Sequence, residues 1–344
     1  MSQLRIGVIG AGGIAQDRHI PALATLEEAT LEAVYDLNEA TAQSVQKRFG
    51  FTRVCGDVNE LLDQVDAVII CTPNKFHANL TVQALDAGVH VFCEKPMAMN
   101  AIECEQMIQA SKRAGKVLTI GYHYRSTTEA QAAKKLIEAN EIGEPLVARA
   151  HAMRRRKVPG WGVFTNKELQ GGGSLIDWGC HFLDLTLWLL GNPKPVSVSG
   201  KTYNTLSKMT DQVNEWGKVD PATFNVDDHV TAYITFENGL SLLFETSWAA
   251  NVKEDSEGVS ISGTTGGIDL FPLEVNQAKH GLLLNSQTNY TPGETDTGVA
   301  QLTNFLRACQ GKEELVVKPE QAAQVTQIID AIYRSSEIGK SVEL

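Results

Sequence analysis

The chain has 344 residues, 43% apolar and 21% charged, the composition of an ordinary globular protein of about two domains rather than of a disordered, collagenous or membrane chain. Thirty Lys and Arg against 41 Asp and Glu leave a net charge of −11, a field that repels nucleic-acid backbones and anionic bilayers, and no stretch approaches the roughly 18 apolar residues of a membrane span. The six cysteines are scattered with no C-x-x-C pair, which indicates neither a metal site nor a disulfide framework, and the N-terminus lacks the marks of a leader, so a cytoplasmic location is expected.

In chain order, β-branched runs at 4–9, 31–35, 67–71, 90–93 and 117–120 alternate with amphipathic stretches near 14–26, 39–49, 76–87 and 101–114, the last closed by Gly115. This rhythm predicts a doubly wound parallel sheet with helices on both faces. After Gly121 the pattern changes. A helix near 127–139 leads to a strand at 146–153, a glycine run at 171–173 and a very apolar helix. Alternating strands follow at 196–202, 229–236, 240–248 and 258–262 with no helix between them. They predict an α+β domain with a large open, mainly antiparallel sheet whose outer face needs a partner.

A last helix is expected over 320–338, between Pro319 and Gly339. Residues 203–226 follow no period and read as an excursion, functional or simply variable. The basic run Arg154, Arg155, Arg156 and Lys157 reads as a solvated strand end rather than as an anion site. The expected domains are 1–122 and 123–344.

The first strand runs into Gly10-Ala11-Gly12-Gly13-Ile14-Ala15, a G-x-G-x-x-A loop opening a helix. Gly10 permits the tight turn, Gly12 lets the backbone approach a pyrophosphate at the helix N-terminus, and Ala15 lets helix and strand pack closely. About 20 residues beyond the loop, Asp36 closes the second strand, where a carboxylate accepts hydrogen bonds from the adenosine ribose. It opposes a 2′-phosphate, and Leu37 and Asn38 supply no cation to neutralise one, so NAD rather than NADP is the expected cofactor. Asp36 serving only in a turn or as a helix cap is the competing reading.

Two further turns fall beyond strand ends, where a doubly wound sheet binds ligands: Cys71-Thr72-Pro73-Asn74 and Glu94-Lys95-Pro96. Pro96 restricts Lys95 to extended geometry and accommodates a cis bond, which holds the ammonium on a rigid turn, although a lysine at a strand end also serves as surface ion-pair material. In the apolar helix Asp177 and His181 stand at i and i+4, with Asp184 on the same face of an element otherwise built for burial. An Asp one turn from a His fixes its tautomer and raises its basicity, as a general base requires; a satisfied core histidine is the plainer alternative. A nicotinamide dehydrogenase needs such a base, with Lys95 to polarise the hydroxyl oxygen while His181 takes its proton. Trp161 in Pro159-Gly160-Trp161-Gly162 either stacks on a sugar ring or anchors its loop.

GAGGIA at 10–15, TPN at 72–74, EKP at 94–96, GYHYR at 121–125 and GGGSLIDWGCHFLD at 171–184 together resemble the Gfo/Idh/MocA family of nicotinamide-dependent sugar and polyol oxidoreductases, over essentially the whole chain. The resemblance implies a catalytic set of Lys95, Asp177 and His181. It places Thr72, Asn74, His77 and Glu94 along NAD with the glycine loop, and turns Arg125 and His123 toward substrate. It further implies a Rossmann domain and an α+β domain whose open sheet pairs with another subunit in a homo-oligomer. The expected activity is reversible oxidation of a secondary hydroxyl on a sugar or inositol-like polyol, with no nucleic-acid or membrane partner. Two other readings share the fold: NAD-dependent glycoside cleavage through transient oxidation and elimination, and non-catalytic nucleotide or sugar sensing.

Overall fold

The structure is a computed structural model and describes residues 3–344. Two compact units emerge, one reaching to His123 and including Glu294–Ala323, the other made of Tyr124–Gly293 and Gln324–Leu344.

The first unit contains β1 (Leu4–Ile9), a π turn (Ala15–His19), α1 (Ile20–Ala24), β2 (Ala29–Tyr35), α2 (Glu39–Phe49), β3 (Arg53–Val54), α3 (Val58–Leu62), β4 (Ala67–Ile70), α4 (His77–Asp86), β5 (His90–Cys93), α5 (Ala101–Ala114) and β6 (Leu118–Ile120). Its six strands are all parallel in the order β3-β2-β1-β4-β5-β6. The order reverses between β1 and β4, and the crevice beyond their carboxyl ends is where such sheets take ligands. Clear local signals set the elements: α5 starts where Asn100 accepts from the Glu103 amide at 3.0 Å and stops at Gly115 with φ +62°. The expected segments 4–9, 39–49, 90–93 and 101–114 coincide with β1, α2, β5 and α5. The stretch 14–26, expected as one helix, is split between the π turn and α1, and the two-residue β3 was too short to show a period.

The second unit contains α6 (Thr128–Glu138), β7 (Pro145–Met153), α7 (Lys167–Gln170), a π turn (Leu175–Gly179), α8 (Cys180–Leu189), β8 (Pro195–Tyr203), β9 (His229–Phe236), β10 (Ser241–Ser247), β11 (Ser256–Gly263), β12 (Gly266–Leu270), β13 (Glu274–Lys279), β14 (Leu282–Gln287) and β15 (Val342–Glu343). They form a nine-stranded sheet, β14-β13-β12-β11-β7-β10-β9-β8-β15. Only the β7–β10 pair is parallel. One face is buried: β7 turns Ala148, Ala150 and Ala152 inward, and all ten residues of α8 are buried. Small strand side chains let a helix approach a sheet closely.

The two-domain division needs a correction at its far end. Segment 294–323, assigned by the sequence to the second domain, groups with the first unit. There α9 (Thr297–Cys309) is capped by Asp296, which accepts from the Gly298 and Val299 amides. Leu302, Phe305 and Leu306 enter the cluster of Ile6, Val8, Ile20 and Phe92, and Phe305 meets Phe92 edge-on at 5.8 Å. The last helix, α10 (Pro319–Ile338), begins one residue before its expected start. Among the described residues no helix is long and apolar enough to cross a membrane.

Candidate active site

On the first unit, the chain leaves β1 through Gly10 at φ +90°, and a Cβ there would lie 2.7 Å from the Cys71 carbonyl oxygen. Only glycine fits so tight a passage over the end of β4. Gly12 and Gly13 are exposed, with nothing within 4 Å of a Cβ built on Gly12, so that face of the loop is open to an approaching phosphate. Ile14 is exposed as the helix opens, and Ala15 is fully buried against the core. Asp36 braces the loop: one carboxylate oxygen accepts from the Ala11 amide and the other from the Asn38 amide, both at 2.8 Å. The turn contact that the sequence named as an alternative is therefore real, but Asp36 also reaches across to the glycine loop. Leu37 beside it is 88% exposed.

Pro73 precedes a short turn at Asn74–Phe76, in which Asn74 is buried. The Thr72 hydroxyl is buried with no hydrogen-bond partner among the described residues, an unmet polar group of the kind that ligands satisfy. Open backbone over Gly12, an acid at the end of β2 and this hydroxyl fit a dinucleotide. They would hold NAD.

Two residues implied to lie along NAD turn out to brace the frame. His77 is fully buried, with Nδ1 2.8 Å from the Pro96 carbonyl oxygen and Nε2 2.9 Å from that of Thr72. Burial lowers its pKa, and the ring joins the TPN and EKP turns as a strut. Glu94 is also buried; Oε1 is 2.6 Å from His19 Nε2, and Oε2 accepts from the Lys95 amide at 3.0 Å. Burial pushes the Glu94 carboxyl up, but His19, Lys95 and His123 outweigh it and bring it down to about 2. The pair ties the π turn behind the glycine loop to the lysine turn. Lys95 is half-buried, and the Lys95–Pro96 peptide is cis. His123, expected to face substrate, instead accepts from Arg18 at 2.9 Å within this unit; burial and Arg18 bring its pKa down to about 3.

On the second unit, Asp177 and His181 sit across the junction of the π turn and α8. Such wide turns recur at functional sites because they re-aim side chains. The turn is fastened by Asp227, whose carboxylate accepts from the amides of Gly173 at 2.8 Å and Leu175 at 2.9 Å, the Ser174 hydroxyl at 2.8 Å and the Tyr333 hydroxyl at 2.6 Å. A Cβ on Gly173 would collide with the Asp227 carbonyl oxygen, which explains the glycine. Asp177 Oδ2 accepts from Trp248 Nε1 at 3.0 Å and lies 3.7 Å from Arg154 Nη1. The buried His181 ring lies 5.3 Å from that of Tyr124 and 6.3 Å from that of Trp178.

Arg125 requires a correction. The resemblance turned it toward substrate, but it is 0% exposed and forms a two-pronged ion pair with the equally buried Asp184, at 2.8 and 2.6 Å. Burial raises the Asp184 pKa despite Arg125. Asp184, which the sequence put on the polar face with His181, is thus a fold-holding partner.

The basic run is a solvated strand end only in part: Arg155 is exposed, whereas Arg154 is drawn into packing. Arg154 stacks over Trp178 at 4.2 Å and over Trp216 at 4.5 Å. Arg155 donates to the Lys253 carbonyl, Arg156 to the Ala250 carbonyl and Asn251, and Lys157 pairs with Asp255. Arg154 is the residue beside Asp177 that sequence reasoning missed; four consecutive cations hid it, since its stacking partners come from distant segments. Trp161 is 53% exposed and packs on Trp216 at 5.5 Å and Phe164 at 6.2 Å. Lys95 thus stands on the first unit and Asp177 and His181 on the second.

Comparison with known proteins agrees with this division. Residues 4–122 match the family described as an oxidoreductase family with an NAD-binding Rossmann fold, and residues 130–269 match the GFO/IDH/MocA C-terminal domain. The chain is 37% identical to the D-glucoside 3-dehydrogenase of Escherichia coli K12, over 100% of this chain and 98% of the relative. It is 31% identical to the glucose-6-phosphate 3-dehydrogenase of Bacillus subtilis, over 89% of each. A levoglucosan dehydrogenase solved with NADH and levoglucosan superposes with a TM-score of 0.84 at 25% identity, over 99% of each chain.

Proposed function

Because the chain belongs to the Gfo/Idh/MocA family of NAD-binding oxidoreductases, we propose that it oxidises a secondary hydroxyl of a glucose-type ring carried as a glucoside, with NAD as acceptor. The observation that carries this reading is the frame on the first unit, where Asp36 on Ala11 and Glu94 on His19 join glycine loop, ribose acid and lysine turn. The two curated relatives are both 3-dehydrogenases of glucose derivatives, which favours the hydroxyl at C3.

NAD, when bound, supplies the two-electron acceptor. The amides of the glycine loop would hold its pyrophosphate, Asp36 its adenosine ribose, and Thr72 and Asn74 the remainder. Lys95 stabilises charge developing on the substrate oxygen, and His181 takes the hydroxyl proton. Asp177, fixed by Trp248 and Arg154, would orient His181 from one helical turn away.

The test is NADH formation over a panel of methyl glucosides, glucose, glucose 6-phosphate and inositols, with NAD and NADP in parallel. The expected result is turnover of glucosides with NAD. Release of aglycone without net NADH would replace the dehydrogenase with redox elimination, and NAD binding with no turnover would leave a sensor.

The six cysteines are free thiols, which supports a reducing compartment, the cytoplasm. On the outer face of the second sheet Tyr233 and Leu243 pair across β9 and β10 at 46% and 43% exposure. They support self-association through that face; a monomer mass by light scattering would end this part of the reading.

A further inference from the structure

The proposed chemistry leaves two parts of the second unit unused: the Trp161 loop and the excursion over 203–226. They meet. The excursion is pinned to the strand end by Asn214, which accepts from the Val158 amide at 2.8 Å and donates to the Val158 carbonyl at 2.9 Å, and by the Glu215 amide on the Arg156 carbonyl at 2.9 Å. The next residue is Trp216. Its ring receives Arg154 at 4.5 Å on the way to Asp177 and lies 5.5 Å from Trp161. A continuous row results: Asp177 carboxylate, Arg154 guanidinium, Trp216, Trp161. One end is a member of the proposed catalytic set, and the other is an indole more than half open to water.

Each member of the row has a use for a ligand. Large exposed aromatic surface is uncommon on a monomer and marks binding sites, and an indole presents a broad apolar face with a polar edge. Arg154 Nη1 is buried with no hydrogen-bond partner among the described residues, a charged donor that sugar hydroxyls would satisfy. The guanidinium, clamped between Trp178 and Trp216, has its edge set by the stacking.

We propose that the Trp161–Trp216 pair is a subsite for the group linked to the oxidised sugar, so that the preferred substrate is a glycoside with a ring-sized aglycone, a second sugar or an aryl group. This rests on the dehydrogenase reading above. A pyranose served by Asp177 and His181 has Arg154 at its border, and the next ring along lies over the indoles. The excursion is then the device that delivers Trp216.

The test compares kcat/KM for p-nitrophenyl glucoside and a glucose disaccharide with that for methyl glucoside, in the full-length protein with NAD. The expected wild-type preference for the larger substrates is about tenfold or more, and Trp161→Ala and Trp216→Ala should each reduce that ratio by about tenfold, mainly through KM. Trp161→Phe should keep most of it, since an aromatic face remains. Trp161 is exposed, so its alanine variant tests the idea without loss of fold, as circular dichroism would verify. A wild-type ratio at or below one, or an equal loss on all three substrates in the alanine variants, overturns the subsite while leaving the dehydrogenase intact. Folded wild-type protein that forms no NADH with any of them overturns both.

Discussion

The two units hold their functional side chains by different means. On the first, the frame is backbone and short polar groups: Asp36 on the Ala11 amide, Glu94 on the Lys95 amide, His77 between two carbonyls. On the second it is large side chains packed on one another: Arg154 between two indoles, Asp177 on Trp248, His181 against Tyr124. A backbone-held frame is fixed by its own turns, as suits one shared cofactor. A side-chain-held frame is open to adjustment from a distance, because an exchange in the excursion reaches Asp177 through Arg154. Each unit also buries a carboxyl group beside a nitrogen partner, Glu94 by His19 and Asp184 by Arg125; burial pushes both up, and the surroundings outweigh it only at Glu94. Glu94 ends well below the ordinary carboxyl range and Asp184 above it.

Lys95→Ala gives the largest expected effect on this contrast. It should lower kcat by about 10² to 10⁴ while NAD binding, followed by fluorescence titration, changes far less, since the Lys95 backbone amide, which donates to Glu94, remains in the variant. Near-normal turnover would remove Lys95 from the reaction. Arg125→Ala comes next: stripping the partner from buried Asp184 should cost about 3–5 kcal/mol in urea unfolding, and pairing Arg125→Met with Asp184→Leu should recover most of it. A single-variant loss within about 1 kcal/mol, the value of an exposed pair, would contradict the buried geometry.

Asp36→Ala should reduce kcat/KM for NAD by about 10-fold to 100-fold, the worth of hydrogen bonds to a charged group, and narrow the preference over NADP. An unaltered cofactor ratio would show that Asp36 only braces the loop. The smallest effect is a pH slope. The Glu94 carboxyl lies at about 2 in the fold against about 4.3 when free, so its contribution is whole above pH ~4.3 and is lost as the pH falls toward 2. Glu94→Gln should remove a slope of at most about 1.4 kcal/mol per pH unit from the acid limb of the stability curve. An unchanged limb would place the titrating groups elsewhere.

Much of the first unit was legible because its signals are local. The glycine loop follows β1 directly, Asn100 and Gly115 delimit α5, and Asp36 closes β2. In the second unit the sequence pointed to Asp177 and His181 by spacing alone, but not to Trp248 and Arg154 as the partners of Asp177, which packing between separate segments brings there. Strands β13 and β14 escaped notice because their residues are largely polar or exposed, so no alternation marks a buried face, and β12 offers only the short alternation of buried Ile268 and Leu270 after two glycines. For α9 the obstacle was topology: its apolar face is ordinary, and nothing in it says that Phe305 belongs against Phe92.

The return of α9 also bears on how the protein is made. As the ribosome releases the polypeptide, the nucleotide-binding half emerges first, yet the apolar patch around Ile20 and Phe92 has no cover until Phe305 has been synthesised. Throughout translation of β7 to β14, eight of the nine strands of the second sheet, the nascent protein therefore carries a sticky, half-finished core, the kind of surface that chaperones shield.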